Sequence, residues 1–251
     1  GTGLTPVGPV RIRRPTNMLG GVSLPLKVAG AGGVPAHGAE AVALDVTVTG
    51  ATQAGGLTAY ADGTRRPAIT SLSFAAGQRV TELVLARVTD GKVDLYNASD
   101  GSLTLTADAV GYYSAAGSVF HPVNALKVMD TRTGFGGAGE AILPHAAAKL
   151  SPLWNTLPQP AASVTAVVLN VTVLGARSAG ALTVFPDGVL YQDGVALPNS
   201  TSLPGTPNIA FQPGHAQSNL VIVPTSGLAD FYNGSDRNLQ VVADLEGYYT
   251  S

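Results

Sequence analysis

Asp130, Thr131 and Arg132 stand in a row inside the phrase Val128-Met129-Asp130-Thr131-Arg132-Thr133-Gly134. Residues two apart on an extended chain share a face, so this carboxylate and guanidinium reach each other or one common partner. A planar guanidinium forks onto a carboxylate through two parallel N–H···O bonds. Two roles fit that chemistry: an anchor that ties a loop to its strand, and a polar clamp for a bound molecule. Trp154, Tyr191 and Asp193 offer a second combination, flat aromatic surface beside hydrogen-bonding groups, which suits the faces and hydroxyls of sugars. Asp130, Arg132, Trp154, Tyr191 and Asp193 are therefore the expected ligand-binding residues.

Other chemistries find less support. Gly134 to Gly139 matches G-x-G-x-x-G, but a dinucleotide site needs a helix to open directly after it, and Pro144 follows within five residues. The motif reads as a loop. His37, His121, His145 and His215 are dispersed without ligand spacing, and cysteine is absent, so no zinc site is expected. Asp187, Asp193 and Asp230 do not form a dense acidic loop of the EF-hand type. No serine sits in a G-x-S-x-G elbow. The chain is expected to carry no catalytic residues and no cofactor. The N-x-S/T sequences, Asn97-Ala98-Ser99 among them, read as chance.

Composition narrows the partners. Only 12% of residues are charged, 14 basic against 16 acidic, and no basic stripe exists to condense on phosphates. Nucleic acid is not an expected partner. The longest apolar stretches, 164–174 for example, are strand-sized and interrupted by Thr and Asn, so membrane insertion is not expected either. The absence of thiols and the low charge suit an exported protein. Gly1 opens directly into polar, Pro-rich sequence, as expected of a chain that starts after a removed leader or within a longer protein.

The elements that must position these residues repeat. Residues 41–63 recur as 166–188 with 14 of 23 positions identical, and 93–113 recur as 229–249. A period near 125 residues is the size of a whole domain. Two modules are predicted, 1–115 and 116–251. Hydrophobicity alternates with period two: Val42, Leu44, Val46 and Val48 face one way, with Asp45 and Thr47 opposite. Val167, Leu169, Val171 and Val173 repeat the pattern, with Asn170 and Thr172 opposite. One covered and one wetter face marks an antiparallel sheet. Asp-Gly and Asn-Gly dipeptides (62–63, 90–91, 100–101, 187–188, 193–194, 233–234) punctuate the strands. The expected fold class is all-β: two tandem antiparallel β-sandwiches, immunoglobulin-like or jelly-roll. The only candidate helix, 146–150, is too short to build on. Module two carries an inserted hairpin and loop at about 189–207 and a longer segment at 143–160, which are the natural places for function.

Phe120-His121-Pro122-Val123, then Asp130-Thr131-Arg132-Thr133-Gly134, then AVVLNVTV, LTVFPDG and a closing ADLEGYY resemble a β-rich module repeated in secreted proteins of actinobacteria and other soil bacteria. The resemblance covers module two apart from its insertion, and the last two-thirds of module one, where Arg14-Pro15-Thr16 stands in place of Asp-Thr-Arg. It implies an extracellular accessory domain, attached to neighbouring domains or arrayed in tandem, with no catalytic residues. The expected function is non-catalytic adhesion or recognition, with a polysaccharide or cell-envelope polymer as partner; the alternative is a ligand-free spacer, and a hydrolase ranks third.

Overall fold

The computed structural model describes residues 1–137, 139–150, 163–187, 189–192, 195–198, 203–225 and 228–251. The chain divides into two compact units, Gly1–Gly117 and Ser118–Ser251. Strands dominate both, and no α-helix occurs among the described residues.

In unit one the strands are β1 (Gly3–Met18), β2 (Ser23–Lys27), β3 (Ala41–Thr49), β4 (Gly55–Ala61), β5 (Leu72–Phe74), β6 (Val80–Arg87), β7 (Lys92–Asn97) and β8 (Leu103–Ser114). They form two four-stranded antiparallel sheets ordered β1-β8-β3-β6 and β2-β7-β4-β5. Strand one pairs with eight, two with seven, three with six and four with five. That is one long hairpin ribbon whose successive pairs alternate between two sheets, the jelly-roll winding. An immunoglobulin sandwich would pair its first two strands, and here β1 and β2 lie in different sheets.

Unit two repeats this winding. Its strands are β9 (Val119–Asp130), β10 (Ala147–Leu150), β11 (Val164–Leu174), β12 (Gly180–Pro186), β13 (Val189–Gln192), β14 (Val195–Pro198), β15 (Ile209–Phe211), β16 (Gln217–Val223), β17 (Ala229–Asn233) and β18 (Gln240–Thr250). The sheets run β9-β18-β11-β16 and β10-β17-β12-β15, strand for strand the order of unit one. The additional hairpin β13-β14 sits between the counterparts of β4 and β5. The segment 146–150, weighed as a helix, holds the edge strand β10, whose backbone pairs with β17. Tertiary pairing overrides a short local preference.

Each core lies between its two sheets. Val42, Leu44, Val46 and Val48 meet Leu57, Leu95 and Phe74 in unit one; Val167, Leu169, Val171 and Val173 meet Leu182, Phe211 and Phe231 in unit two. The outward face of β3 is drier than its alternation predicts. Asp45 and Asp108 are 1% and 0% exposed and lie opposite each other in register. Burial is tolerated because polar groups meet: the Arg11 guanidinium forks onto Asp108, and the Thr47 and Thr81 hydroxyls bond at 2.8 Å.

The duplicated motifs hold the frame. Asn97 Nδ2 donates to the carbonyls of Leu19 and Gly101, while its Oδ1 accepts from the Ser99 amide and hydroxyl. Asn233 does the same with the carbonyls of Ile142, Leu143 and Arg237 and with Ser235. Both asparagines are fully buried, which removes Asn97-Ala98-Ser99 as a glycan acceptor. Each serine in turn rests on a glycine. A Cβ on Gly55 would lie 2.4 Å from Ser99 Cβ, and one on Gly180 the same distance from Ser235 Cβ. One contact thus accounts for two of the repeated phrases. The GYY phrase marks a bulge, where Val110 in β8 and Glu246 in β18 are left over between paired neighbours.

Candidate functional site

Asp130 ends β9 and is 2% exposed. Its Oδ1 accepts from the Arg132 amide at 3.1 Å and from Arg132 Nε at 2.9 Å; its Oδ2 accepts from Arg132 Nη2 at 2.8 Å and Lys127 Nζ at 3.2 Å. The carboxyl is held well below the usual carboxylate range, first by the Arg132 side chain and then by the Arg132 amide and Lys127. Such a group stays ionised and has no proton to lend near neutrality. Thr131, also buried, bonds Gln240 through its hydroxyl and accepts from the Val241 amide at 2.9 Å. The following glycines bend the chain back, with positive φ at Gly134, Gly136 and Gly137, so that the Phe135 carbonyl accepts from the Asp130 amide. A Cβ on Gly136 would come within 2.1 Å of the Val128 carbonyl oxygen, which requires glycine there. The G-x-G-x-x-G phrase is this turn.

Module one lacks the cluster. Thr16 pairs with Leu105 in β8, the repeat equivalent of Val241 on which Thr131 sits. The register slips by one residue between Arg13 and Thr16, so Arg14 and Pro15 together stand where module two has Asp130. Without a carboxylate to fold around, β1 runs on to Met18.

The five expected residues do not form one described site. Asp130 and Arg132 bond each other directly. Trp154 and Asp193 lie outside the described residues, and Tyr191 is placed as a backbone position in β13, paired with Ala196. The described end of the insertion has another position: Leu203 packs on Ala147 and Phe185, beside Tyr232. These residues lie on the outward face of β10, β12 and β17, and β14 runs alongside β10. Phe185 and Asp230 on this face are fully buried.

The equivalent face of module one is covered differently: the 64–71 loop closes over Thr58, which is buried and donates to the Ile69 carbonyl at 2.8 Å, while Ser23, Pro25 and Lys27 stay exposed. Cross-strand register aligns Ser23, Tyr96 and Thr58 in one row and Pro25, Asp94 and Tyr60 in the next. The counterpart rows in module two are Ala147, Tyr232, Thr183 and Lys149, Asp230, Phe185. Tyr60 and Tyr96 are half-buried, and the Tyr60 hydroxyl bonds Ser23 at 2.9 Å. The Arg66 guanidinium lies 3.7 Å above the Tyr96 ring centroid. Burial, then the neighbouring Asp62 carboxylate, push the Asp94 carboxyl up, against the Tyr60 hydroxyl and Gly63 amide that donate to it. Sequence reasoning passed over these residues, although Tyr60 against Phe185 and Ser23 against Ala147 were visible as polar-for-apolar differences on outward strand positions.

No family model matches the sequence, and a comparison with curated proteins finds no match. Among solved structures, the chain is similar to the major capsid protein of bacteriophage PM2, at 11% identity, TM-score 0.25 and coverage of 100% of this chain and 98% of that one. It is also similar to the N-terminal CBM22-1–CBM22-2 tandem domain of Xyn10C from Paenibacillus barcinonensis, at 10% identity, TM-score 0.26 and coverage of 99% and 94%. A chain from the Sulfolobus Turreted Icosahedral Virus gives 8% identity, TM-score 0.25 and coverage of 96% and 59%. Likeness at this level establishes no shared binding.

Proposed function

We propose that the chain is a non-catalytic, extracellular recognition protein that holds a polysaccharide on the outer face of β5-β4-β7-β2. One observation carries this reading: in sheets wound identically, Phe185, Asp230 and Ala147 are buried in module two with Leu203 packed beside them, whereas their counterparts Tyr60, Asp94 and Ser23 in module one are half-buried or exposed. Sugars present apolar CH faces and a rim of hydroxyls. Half-buried tyrosines give flat contact area at little entropic cost, and the serine, tyrosine and aspartate oxygens give directional hydrogen bonds. Extracellular placement is supported by the thiol-free, weakly charged composition and by the resemblance of 120–134 and 166–188 to secreted modules.

Retention of the intact chain on an array of cell-envelope and plant polysaccharides tests the proposal. Binding is expected to at least one polymer, and Tyr96→Ala is expected to weaken it about tenfold, the scale of one lost aromatic anchor. Binding that ignores Tyr60→Ala and Tyr96→Ala but disappears on deletion of 189–207 would move the site to module two. No retained polymer would leave the spacer reading.

A further inference from the structure

The same face of module one also carries charge that its neighbours do not neutralise. Lys27 and Lys92 lie directly opposite each other in the β2–β7 register, both exposed. Like charges in that position repel. Lys27 has no ion-pair partner among the described residues, and Lys92 has only Asp62 at 3.9 Å. Leu228 stands in module two at the position of Lys92, so the sheet does not need the lysine to form. Both lysines line an open cavity of about 670 Å³, together with His37, Asp90 and the backbone at Gly30 and Gly91.

The opposite end of the face repeats this arrangement. Arg65 and Arg66 are exposed and line a second open cavity of about 570 Å³ beside Thr58. Neither makes an ion pair among the described residues. Arg66 is exposed although its guanidinium carbon sits 3.7 Å from the Tyr96 ring centroid, and a guanidinium over a ring keeps its charge and its N–H donors for a further partner. Between the two ends, Asp94 and Asp62 are the only carboxylates on the described part of the face, and Tyr60 and Gly63 already engage Asp94. Four cations thus meet three carboxylates, Asp62, Asp94 and the cavity-lining Asp90, in a chain whose total charge is -2. From Lys92 to Tyr96, four residues of extended strand separate the basic ends by roughly 13 Å.

Resting on the polysaccharide reading above, we propose that the polymer held on this face is acidic: a uronic-acid polysaccharide whose carboxylates bind in the Lys27–Lys92 cavity and at Arg65–Arg66, its sugar rings crossing Tyr60 between them, beside the Tyr96 ring on which Arg66 is seated. Separated basic ends with a tyrosine between them fit a linear chain that carries charge at intervals. A compact anion would need the cations gathered at one point.

The test titrates the intact chain with polygalacturonate and with the same polymer after its carboxylates are reduced to alcohols. Tight binding of the acid form, at least tenfold weaker binding of the reduced form, and at least tenfold weaker binding of the acid form by Lys27→Ala/Lys92→Ala are expected. Both lysines are exposed, so a melting temperature no lower than that of the unmodified chain should confirm that the variant folds. Equal binding of acid and reduced forms would overturn the acidic assignment while leaving the polysaccharide reading intact. Binding of neither form, with a neutral polymer bound on the array, would do the same; no binding to any polymer would remove both. Binding of the acid form that survives Tyr96→Ala and follows ionic strength alone would show unspecific attraction of a polyanion, and would also overturn the proposal.

Discussion

The outer faces of β5-β4-β7-β2 and β15-β12-β17-β10 are built from equivalent strands in equivalent register, yet Phe185, Asp230 and Ala147 are buried beside Leu203 on the second, while Tyr60, Asp94 and Ser23 are half-buried or exposed on the first. What the repeats keep identical is what winds the jelly roll: the Asn97/Asn233 corner, the glycine under each serine, and the bulge before Gly111 and Gly247. What they change lies outside that frame. Phe185 against Tyr60 and Ala147 against Ser23 are differences of chemistry at fixed backbone positions. In a duplicated protein, identity between the copies marks the frame and divergence marks the places free to specialise.

The largest effects should fall on the shared frame and strike both modules alike. Asn97→Ala and Asn233→Ala each strand several buried donors and acceptors, so each should cost on the order of 3 kcal/mol or more in its own module, read by denaturant unfolding with site-resolved hydrogen exchange. A large loss in only one module would mean that the corners are not equivalent.

Next comes the anchor that only module two has. Asp130→Ala leaves the Arg132 amide and Lys127 without their acceptor, and should cost about 2 kcal/mol. Pro15→Ala at the matching position of module one is exposed and should change stability by no more than about 0.5 kcal/mol. Equal costs would dissolve the distinction between the two strand ends.

The modules should also respond oppositely to acid. The Asp130 carboxyl is lowered in the folded state, so between its folded value and the unfolded value near about 3.9 the unfolded chain binds more protons. Its contribution is present above that range and is lost as the pH falls through it. The Asp108 carboxyl is raised by burial, which outweighs Arg11, so the folded state binds more protons just above about 3.9. Its contribution is greatest below the unfolded value and declines as the pH rises through the raised one. Hydrogen exchange should therefore show β9 and the 131–133 turn loosening below pH 4 while β1 and β8 hold or tighten. Parallel loosening would contradict this.

The smallest effect isolates the charge argument. Lys27→Ala should stabilise module one by about 0.2–1 kcal/mol, because the repulsion across β2 and β7 is relieved. A loss of that size instead would mean that Lys27 is held by partners of its own.

Much of this was legible in the residues. Period-two alternation in 41–48 and 166–173 marked the strands and their inward faces, and the self-match marked the two modules. The choice between immunoglobulin and jelly-roll winding was not legible, since it rests on β1 pairing β8 across about a hundred residues, and no local pattern encodes that. The Asp130–Arg132 pair was found from its spacing, and its geometry matches the anchor role. Burial of Asp45 and Asp108 was missed because their strand alternation shows a polar face, whereas the Arg11 guanidinium that meets Asp108 comes from a strand 97 positions away. The outward rows of module one carry no motif or insertion, only single polar-for-apolar exchanges such as Tyr60 against Phe185, which no local pattern singles out.

Backbone amide chemical shifts of the intact chain, recorded while polygalacturonate is added, test the central claim most directly. The account predicts shifts concentrated in Ser23–Lys27, in 58–66 and in Lys92–Asn97, with 189–207 and the Asp130–Arg132 turn unmoved. Shifts centred on 189–207 or on Asp130 and Arg132, with the face of module one silent, would contradict it.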